Sequence, residues 1–299
     1  MISRVTHTTM QRSTLGNLQL NLRSMSDLQA RLSSGKMITK ASDDPGAASR
    51  VMNLRAEQAA VTQAKRNADG GVSWLTQLDS TMQSSIDVLH RVRELTVRGA
   101  NSTTAGGPAV EAIATELEGL RDSMLGLANT TLGGRAIFAG TSPSGAAFDG
   151  PGGVPPYQWH GTPGAEVTRR IGPDAAVRID VAGPDAYGEG AASVFQLIDD
   201  IAADLRAGTP VTARLDEIDG HLETMLSTVT GVGVRHKQMM EAQSSLEHTL
   251  QELKSSISGI EDIDLAQTVI ELEMQEIAYQ GALGATARVL QPTLMDFLR

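Results

Sequence analysis

The sequence predicts a mainly α-helical protein with a small β-rich insert: an elongated rod of long coiled-coil helices whose N- and C-terminal helices pair. The first observation is an apolar stripe at three- and four-residue spacing, the N-terminal seam: Leu15, Leu18, Leu22, Met25 and Leu32. The second is the C-terminal seam, in which isoleucines recur: Ile263, Ile270, Met274 and Ile277, then Leu290, Leu294 and Phe297. Such spacing gives a helix one apolar face that another helix must cover. We expect both seams to serve assembly.

The two ends also carry opposite charge. Residues 1–40 contain six basic side chains and one acidic side chain, whereas residues 261–299 contain seven acidic and two basic side chains. Opposite fields favour pairing of the two ends, although an exposed ion pair contributes only about 0–1 kcal/mol. We therefore expect the seams to hold the two helices together and the charges to select the partner.

Between the ends, the chain is expected to form long helices. Heptads predict one helix over 43–98 and another that begins at Pro108. A nearly continuous helix follows from Thr209 onwards. We expect a flexible joint at Gly231–Gly233, and a second joint near Gly259–Asp264, where the apolar seam changes phase.

Three parts are expected on this basis. Residues 1–40 with 263–299 form a terminal coiled-coil assembly domain, residues 41–140 with 193–262 a helical rod, and residues 141–192 a β-rich lobe crowded with Gly and Pro. Because the lobe lacks a heptad, we expect it to be an outer insert that could be replaced by a short linker while the rod stays folded.

A helix-start motif stands at the beginning of the first long helix: Ser42, Asp43, Asp44 and Pro45. Ser42 can cap free backbone N–H groups, the carboxylates suit the positive end of the helix dipole, and Pro45 is tolerated in a first turn. Neighbouring residues of a helix do not converge on one point, so a metal or acid–base role for the two aspartates is disfavoured.

Composition excludes several classes of function. A net charge of −10 argues against a nucleic-acid partner, and no apolar run is long enough to span a membrane. The chain has no Cys, so thiolate metal sites are excluded, and its His residues lack metal-binding spacing. We expect no catalytic, cofactor-binding or metal-binding residues. The start of the chain also lacks the apolar stretch of a cleaved signal peptide.

Several motifs resemble the flagellin superfamily, in which the terminal helices build the inner tube of the bacterial flagellum. They are Leu32-Ser-Ser-Gly-Lys36 and Ala41-Ser-Asp-Asp-Pro-Gly-Ala-Ala-Ser49, on a heptad helix with a matching C-terminal helix. Three features resemble the hook–filament junction members more than filament flagellin. These are Asp43-Asp44-Pro45, Ile137-Phe138-Ala139-Gly140, and the ending from Ala287 to Leu298.

The resemblance implies a secreted structural subunit, exported through the flagellar type III apparatus to the extracellular hook–filament junction. Its expected partners are copies of itself, the hook-associated ring protein, flagellin, and a cytoplasmic export chaperone at the C-terminal helix. Two alternatives remain open. Filament flagellin would polymerise by itself, and a soluble coiled-coil scaffold would leave the matched ends unexplained.

Overall fold

The computed structural model describes residues 7–101 and 107–289 of the chain. Contacts divide the protein into two compact units, residues 1–60 with 250–299 and residues 61–249. The predicted three-part division remains a prediction about folding domains. Within the described residues, no helix combines the length and apolar character needed to cross a membrane.

Helices make up most of the described chain. They are α1 (His7–Ser34), α2 (Pro45–Ala100), α3 (Pro108–Ala128), α4 (Gly183–Tyr187), α5 (Val194–Ala207), α6 (Thr212–Glu261) and α7 (Leu265–Val289). Two short antiparallel hairpins are formed by β1 (Thr131–Leu132) with β2 (Arg135–Ala136) and by β3 (Thr168–Arg170) with β4 (Ala176–Arg178). The prediction of a mainly α fold with a small β-rich insert is confirmed.

Helix α2 begins at the predicted motif, but Asp44 rather than Ser42 caps it. The Asp44 carboxylate accepts a hydrogen bond from the Ala47 backbone N–H at 2.9 Å, and its carbonyl accepts from Ala48. Asp43 instead accepts from the backbone N–H groups of Thr39 and Lys40. These hydrogen bonds, of which the one from the Lys40 N–H has the largest effect, lower the pKa of Asp43. Thus Asp44 starts the helix, and Asp43 shapes the connector before it.

In the second unit, α2 and α6 run antiparallel. Lys65 pairs with Glu247 near one end of the contact, and Arg93 pairs with Asp219 near the other. Between them Met239 lies so close to Gly71 that a Cβ on Gly71 would meet its methyl group at 2.6 Å. A glycine costs roughly 1 kcal/mol relative to Ala inside a helix, but here it allows the close approach.

The joint expected at Gly231–Gly233 is absent, because α6 continues through both glycines. Val232 between them is fully buried, so packing outweighs the weak helix propensity of its neighbours. The second expected joint is real: residues 262–264 separate α6 from α7. A phase change in the seam was therefore the better indicator of a break than glycine content.

The lobe packs its aromatic side chains into the core of the second unit. Rings with centroids 5.1–6.0 Å apart form one cluster: Phe138, Phe148, Tyr157, Tyr187 and Phe195. The Tyr187 hydroxyl lies 2.8 Å from the Ser85 hydroxyl on α2. The Tyr157 hydroxyl donates to Asp199 of α5, which also pairs with Arg121 of α3.

These contacts revise the expectation that the lobe can be replaced without consequence. Its buried aromatic residues belong to the same hydrophobic cluster as the helices. Truncating one large buried aromatic side chain costs about 3–5 kcal/mol, so losing several would exceed a typical domain's stability. The lobe is a structural part of the 61–249 unit rather than an appendage.

Candidate assembly surface

In the first unit, the connector that follows α1 pairs with the connector that precedes α7. Lys36 and Asp262 form an isolated antiparallel β-bridge. The Met37 N–H donates to the Glu261 carbonyl at 2.7 Å, and the Ile263 N–H donates to the Gly35 carbonyl at 3.1 Å. Gly35 has φ +71°, a left-handed conformation that suits glycine. The bridge therefore fixes where α1 ends relative to where α7 begins.

Glu261 is the charged centre of this crossing. Its carboxylate accepts from Lys36 Nζ at 2.8 Å and from an Arg55 guanidinium nitrogen at 2.7 Å, and its side chain is only 10% exposed. The hydrogen bond from Lys36, aided by the charges of Arg55 and Lys36, lowers the pKa of Glu261. A shielded carboxylate that accepts charge-assisted hydrogen bonds from two cations links α6 to α2 and to the connector after α1.

Helices α1 and α7 lie against each other along their length. The side-chain amide of Gln275 donates to the Asn21 carbonyl oxygen at 3.3 Å. Because Lys36 pairs with Asp262, higher numbers on α1 meet lower numbers on α7, and the helices are antiparallel. The predicted pairing of the terminal helices is thus present in the structure.

The N-terminal seam is wider than this contact. Leu18, Met25 and Leu32 are half-buried and lie on the side of α1 that faces α7. Leu15 and Leu22 are 58% and 42% exposed. One facing helix covers only part of the circumference of α1, so the outer edge of the seam remains in water.

The exposed residues of the C-terminal seam do not face α1, and the sequence likewise predicts that a single antiparallel pair leaves residues such as Leu22 and Ile270 uncovered. Ile270, Met274 and Ile277 are 57–69% exposed, whereas Ile263, in the connector, is half-buried. The more buried positions of α7 recur at three- and four-residue spacing on another face: Thr268, Leu272, Gln275, Tyr279, Ala282 and Thr286. Periodicity shows that an apolar face needs cover, but it does not show which helix supplies it.

Three seam residues, Leu290, Leu294 and Phe297, lie outside the described residues. The assembly role of the whole seam remains a prediction.

Within the described residues, the opposite charges of the two ends meet as an ion pair only where Lys36 contacts Glu261. Among the described residues, no salt bridge joins α1 to α7, and Arg12, Arg23, Glu273 and Glu276 are exposed. In the same part of the chain, no group of three or more His, Asp or Glu side chains is placed to hold a metal ion.

Sequence reasoning missed the Glu261 cluster and the polar face of α7. Lys36 stood in a recognised motif, and Glu261 stood at an expected joint, yet 225 residues separate them. No local pattern links residues so distant. The polar face at Gln275 and Tyr279 was missed because the isoleucine heptad gave the stronger signal.

The comparisons with known proteins agree with this arrangement. The family model for the N-terminal helical region of bacterial flagellin matches residues 5–142, and that for the C-terminal helical region matches residues 215–298. The chain therefore belongs to the flagellin family, whose members are structural proteins of the bacterial flagellum and assemble with other flagellar components.

Two curated relatives illustrate the breadth of this family. The chain is 24% identical to a flagellin of Bacillus subtilis over 301 aligned positions, which cover 96% of each chain. It is 26% identical to flagellar hook-associated protein 3 of Salmonella typhimurium over 273 aligned positions, which cover 91% of this chain and 80% of the relative.

A solved structure supports the fold. The crystal structure of flagellar hook-associated protein 3 from Legionella pneumophila aligns with a TM-score of 0.62 at 13% identity. The alignment covers 70% of this chain and 98% of the other.

We expect Glu261→Gln to loosen the crossing of the two connectors. The pKa of Glu261 is lowered in the folded state, so its contribution to stability is present above the ordinary glutamate pKa of about 4.3 and is lost as pH falls through the lower folded value. At neutral pH, the amides of Met37 and Ile263 should exchange roughly tenfold faster in the variant than in the wild type. Exchange is measured from pH 3 to 7 and normalised to intrinsic rates.

Glu273→Gln is the matched control, because Glu273 is exposed on α7 and makes no ion pair within the described residues. In Glu273→Gln, the amides of Met37 and Ile263 should exchange at the wild-type rate at every pH. Glu261→Gln should instead remove the acid-dependent change in the exchange of these two amides. Equal protection in wild type and Glu261→Gln at pH 7 would contradict the assigned role of Glu261.

Proposed function

We propose that this protein joins the flagellar hook to the flagellin filament as a structural subunit, through packing of its terminal helices. The observation that carries this proposal is the uncovered apolar face of α7, where Ile270, Met274 and Ile277 are each more than half exposed. Full burial of such a side chain is worth about 1.5–3 kcal/mol. Neighbouring subunits that cover this face would gain that free energy.

The proposed neighbours are copies of this chain, the hook-associated ring protein on one side and flagellin on the other. The similarity to hook-associated protein 3 over most of both chains supports the junction position. So do the junction-like motifs at Asp43-Asp44-Pro45 and Ile137-Phe138-Ala139-Gly140. The proposed location is the extracellular hook–filament junction.

A cytoplasmic export chaperone is proposed to hold the C-terminal helix before secretion. The exposed apolar face of α7 supports this, because such a face is prone to unwanted association in the cytoplasm. A chaperone that covers Ile270 and Ile277 would prevent premature assembly and leave the chain to enter the type III apparatus.

Filament flagellin is the second candidate. The alignment with the Bacillus subtilis flagellin spans 96% of both chains and favours it specifically. A junction subunit and a filament subunit share terminal helices, so the two candidates differ in what each can assemble on. A soluble coiled-coil scaffold gives no reason for the uncovered face of α7.

Assembly of the purified chain separates the two candidates. A junction subunit should stay unpolymerised alone and add to hook ends that carry the hook-associated ring protein, because its filament-side neighbour is a different protein. The measurement is sedimentation and electron microscopy with and without isolated hook ends. Long filaments from the chain alone would identify it as filament flagellin.

We expect Ile277→Asp to block assembly without unfolding the chain. The side chain is 69% exposed, so the helix should tolerate the charge, while burial of an unpaired carboxylate between subunits costs several kcal/mol. Leu22→Asp on α1 should act in the same way. The measurement is filament number per cell in a strain without the endogenous subunit, with circular dichroism of each purified variant.

The control places the same charge elsewhere on α1. Ser13 is exposed and lies on the side of α1 opposite Leu22, so Ser13→Asp should retain most filaments. If Ile277→Asp and Leu22→Asp assemble as well as this control does, the terminal helices are not the assembly surface.

A further inference from the structure

A cavity of about 300 Å³ lies between α6 and the segment that runs from β4 to α4. Four charged side chains line it: Arg178, Asp180, Asp185 and Arg235. All four belong to the 61–249 unit, and none is a seam residue. The partners that these charges already have determine what else the cavity can bind.

Arg178 is fully paired inside the protein, because all three of its guanidinium nitrogens donate to carboxylates. Nε donates to Asp180 at 3.0 Å, Nη1 to Glu166 at 2.9 Å and Nη2 to Asp180 at 3.3 Å. The buried Asp180 carboxylate also accepts from the Val167 backbone N–H at 2.9 Å. Both carboxylates are therefore held by Arg178, and neither forms a salt bridge with Arg235.

Arg235 bonds only to neutral oxygens. Its Nε donates to the Gly231 carbonyl at 3.1 Å, and its Nη1 donates to the Asp180 carbonyl at 2.7 Å. Across residues 7–101 and 107–289, its Nη2 group makes no hydrogen bond and no carboxylate pairs with the guanidinium. The two carbonyls thus fix the orientation of the side chain but leave its positive charge without a counter-charge.

The surroundings of Arg235 make this missing counter-charge costly. The side chain is half-buried, and burial together with the nearby charge of Arg178 lowers the pKa of Arg235. Charged side chains that are withdrawn from water are ordinarily paired with an opposite charge. A negative ligand at this position would stabilise the charged guanidinium.

The lining of the cavity favours a small, singly charged ligand. Two arginines and two aspartates line it, so the aspartates oppose a dianion more strongly than a singly charged group. A Cβ on Gly231 would stand 4.0 Å from Nη2 of Arg235, so the glycine leaves room beside that nitrogen. The planar guanidinium group of Arg matches the oxygens of a carboxylate in geometry.

We propose that this cavity binds a carboxylate group, with the Nη2 group of Arg235 donating to the carboxylate oxygens. Arg178 adds positive charge nearby while its own hydrogen bonds stay with Asp180 and Glu166. The carboxylate can come from a small organic acid or from an Asp or Glu side chain of another protein. This site is independent of the proposed role at the hook–filament junction, because it belongs to the purified chain alone.

Titration of the ¹⁵N-labelled chain with sodium acetate tests the site, with ionic strength held constant by sodium chloride at pH 7. The Nε–H resonance of Arg235 and the Gly231 amide resonance should shift and saturate together. The Nε–H resonance of Arg178 is the internal control and should shift little, because its hydrogen bond to Asp180 is retained. A linear, unsaturated shift, or an equal shift at Arg178, would overturn the proposal.

Variants that change one charge or one donor sharpen the test. Arg235→Lys keeps the positive charge but lacks Nη2, and the saturable shift of the Gly231 amide should be lost. Asp185→Asn removes an opposing charge from the cavity and should lower the Kd for acetate roughly threefold. Asp174→Asn is the matched control, because Asp174 is exposed outside the cavity, and its Kd should stay at the wild-type value. An unchanged Kd in both Arg235→Lys and Asp185→Asn would contradict the assigned site.

Two further ligands identify the source and the charge of the bound group. The blocked peptide acetyl-Gly-Glu-Gly-amide carries one side-chain carboxylate. Saturation by this peptide as well as by acetate supports a protein side chain as the ligand, and saturation by acetate alone supports a small organic acid. Sulfate should bind more weakly than acetate. Tighter binding of sulfate would overturn the assignment to a carboxylate.

Discussion

The uncovered apolar face of α7 is the constraint on which this account depends. One neighbouring helix covers only one side of α7. The side that packs on α1 is built largely from polar and small residues such as Thr268, Gln275 and Ala282. The isoleucines occupy another side and remain in water. Since apolar surface in water carries a free-energy cost in proportion to its area, the chain alone leaves a driving force unused. In the proposed function, association of subunits buries this surface.

The crossing of the two connectors fixes the position of the apolar face of α7 relative to α1. Glu261, held by Lys36 and Arg55, and the bridge between Lys36 and Asp262 fix the end of α1 against the start of α7. Because each helix is rigid over its length, fixing one end sets the level of every residue beyond it. The clustered charge at Glu261 therefore determines which side chains of α1 and α7 stand at the same height.

Sequence patterns predicted the parts of the fold that depend on local spacing. The heptads placed α2 within two residues of its observed ends, and the Asp-Asp-Pro motif marked its start. The side of α7 that meets α1 could not be read in this way, because an apolar stripe reports a need for cover and not the identity of the cover. The Glu261 cluster joins residues more than 200 positions apart and leaves no periodic trace.

The lobe is a second part of the fold that residue spacing in the sequence does not predict. Its aromatic residues stand at irregular intervals among Gly and Pro, so their convergence on Tyr187 and Phe195 depends on the path of the loops rather than on any repeat. A stretch without periodicity therefore predicts an outer insert, whereas the structure shows its side chains filling the core of the 61–249 unit. Its contribution becomes visible only when the loops are traced in space.

Methionine oxidation tests the central claim most directly, because Met274 lies on the uncovered face. It is 58% exposed, whereas Met82, Met124 and Met239 are at most 1% exposed and should stay unoxidised throughout. Met240 on α6, at 51% exposure, reports whether the oxidant has access. Brief peroxide treatment followed by mass spectrometry should oxidise Met274 readily in the isolated chain and at least tenfold more slowly in assembled flagella, since burial excludes the oxidant. Equal oxidation of Met274 in both states would contradict the claim that assembly covers this face.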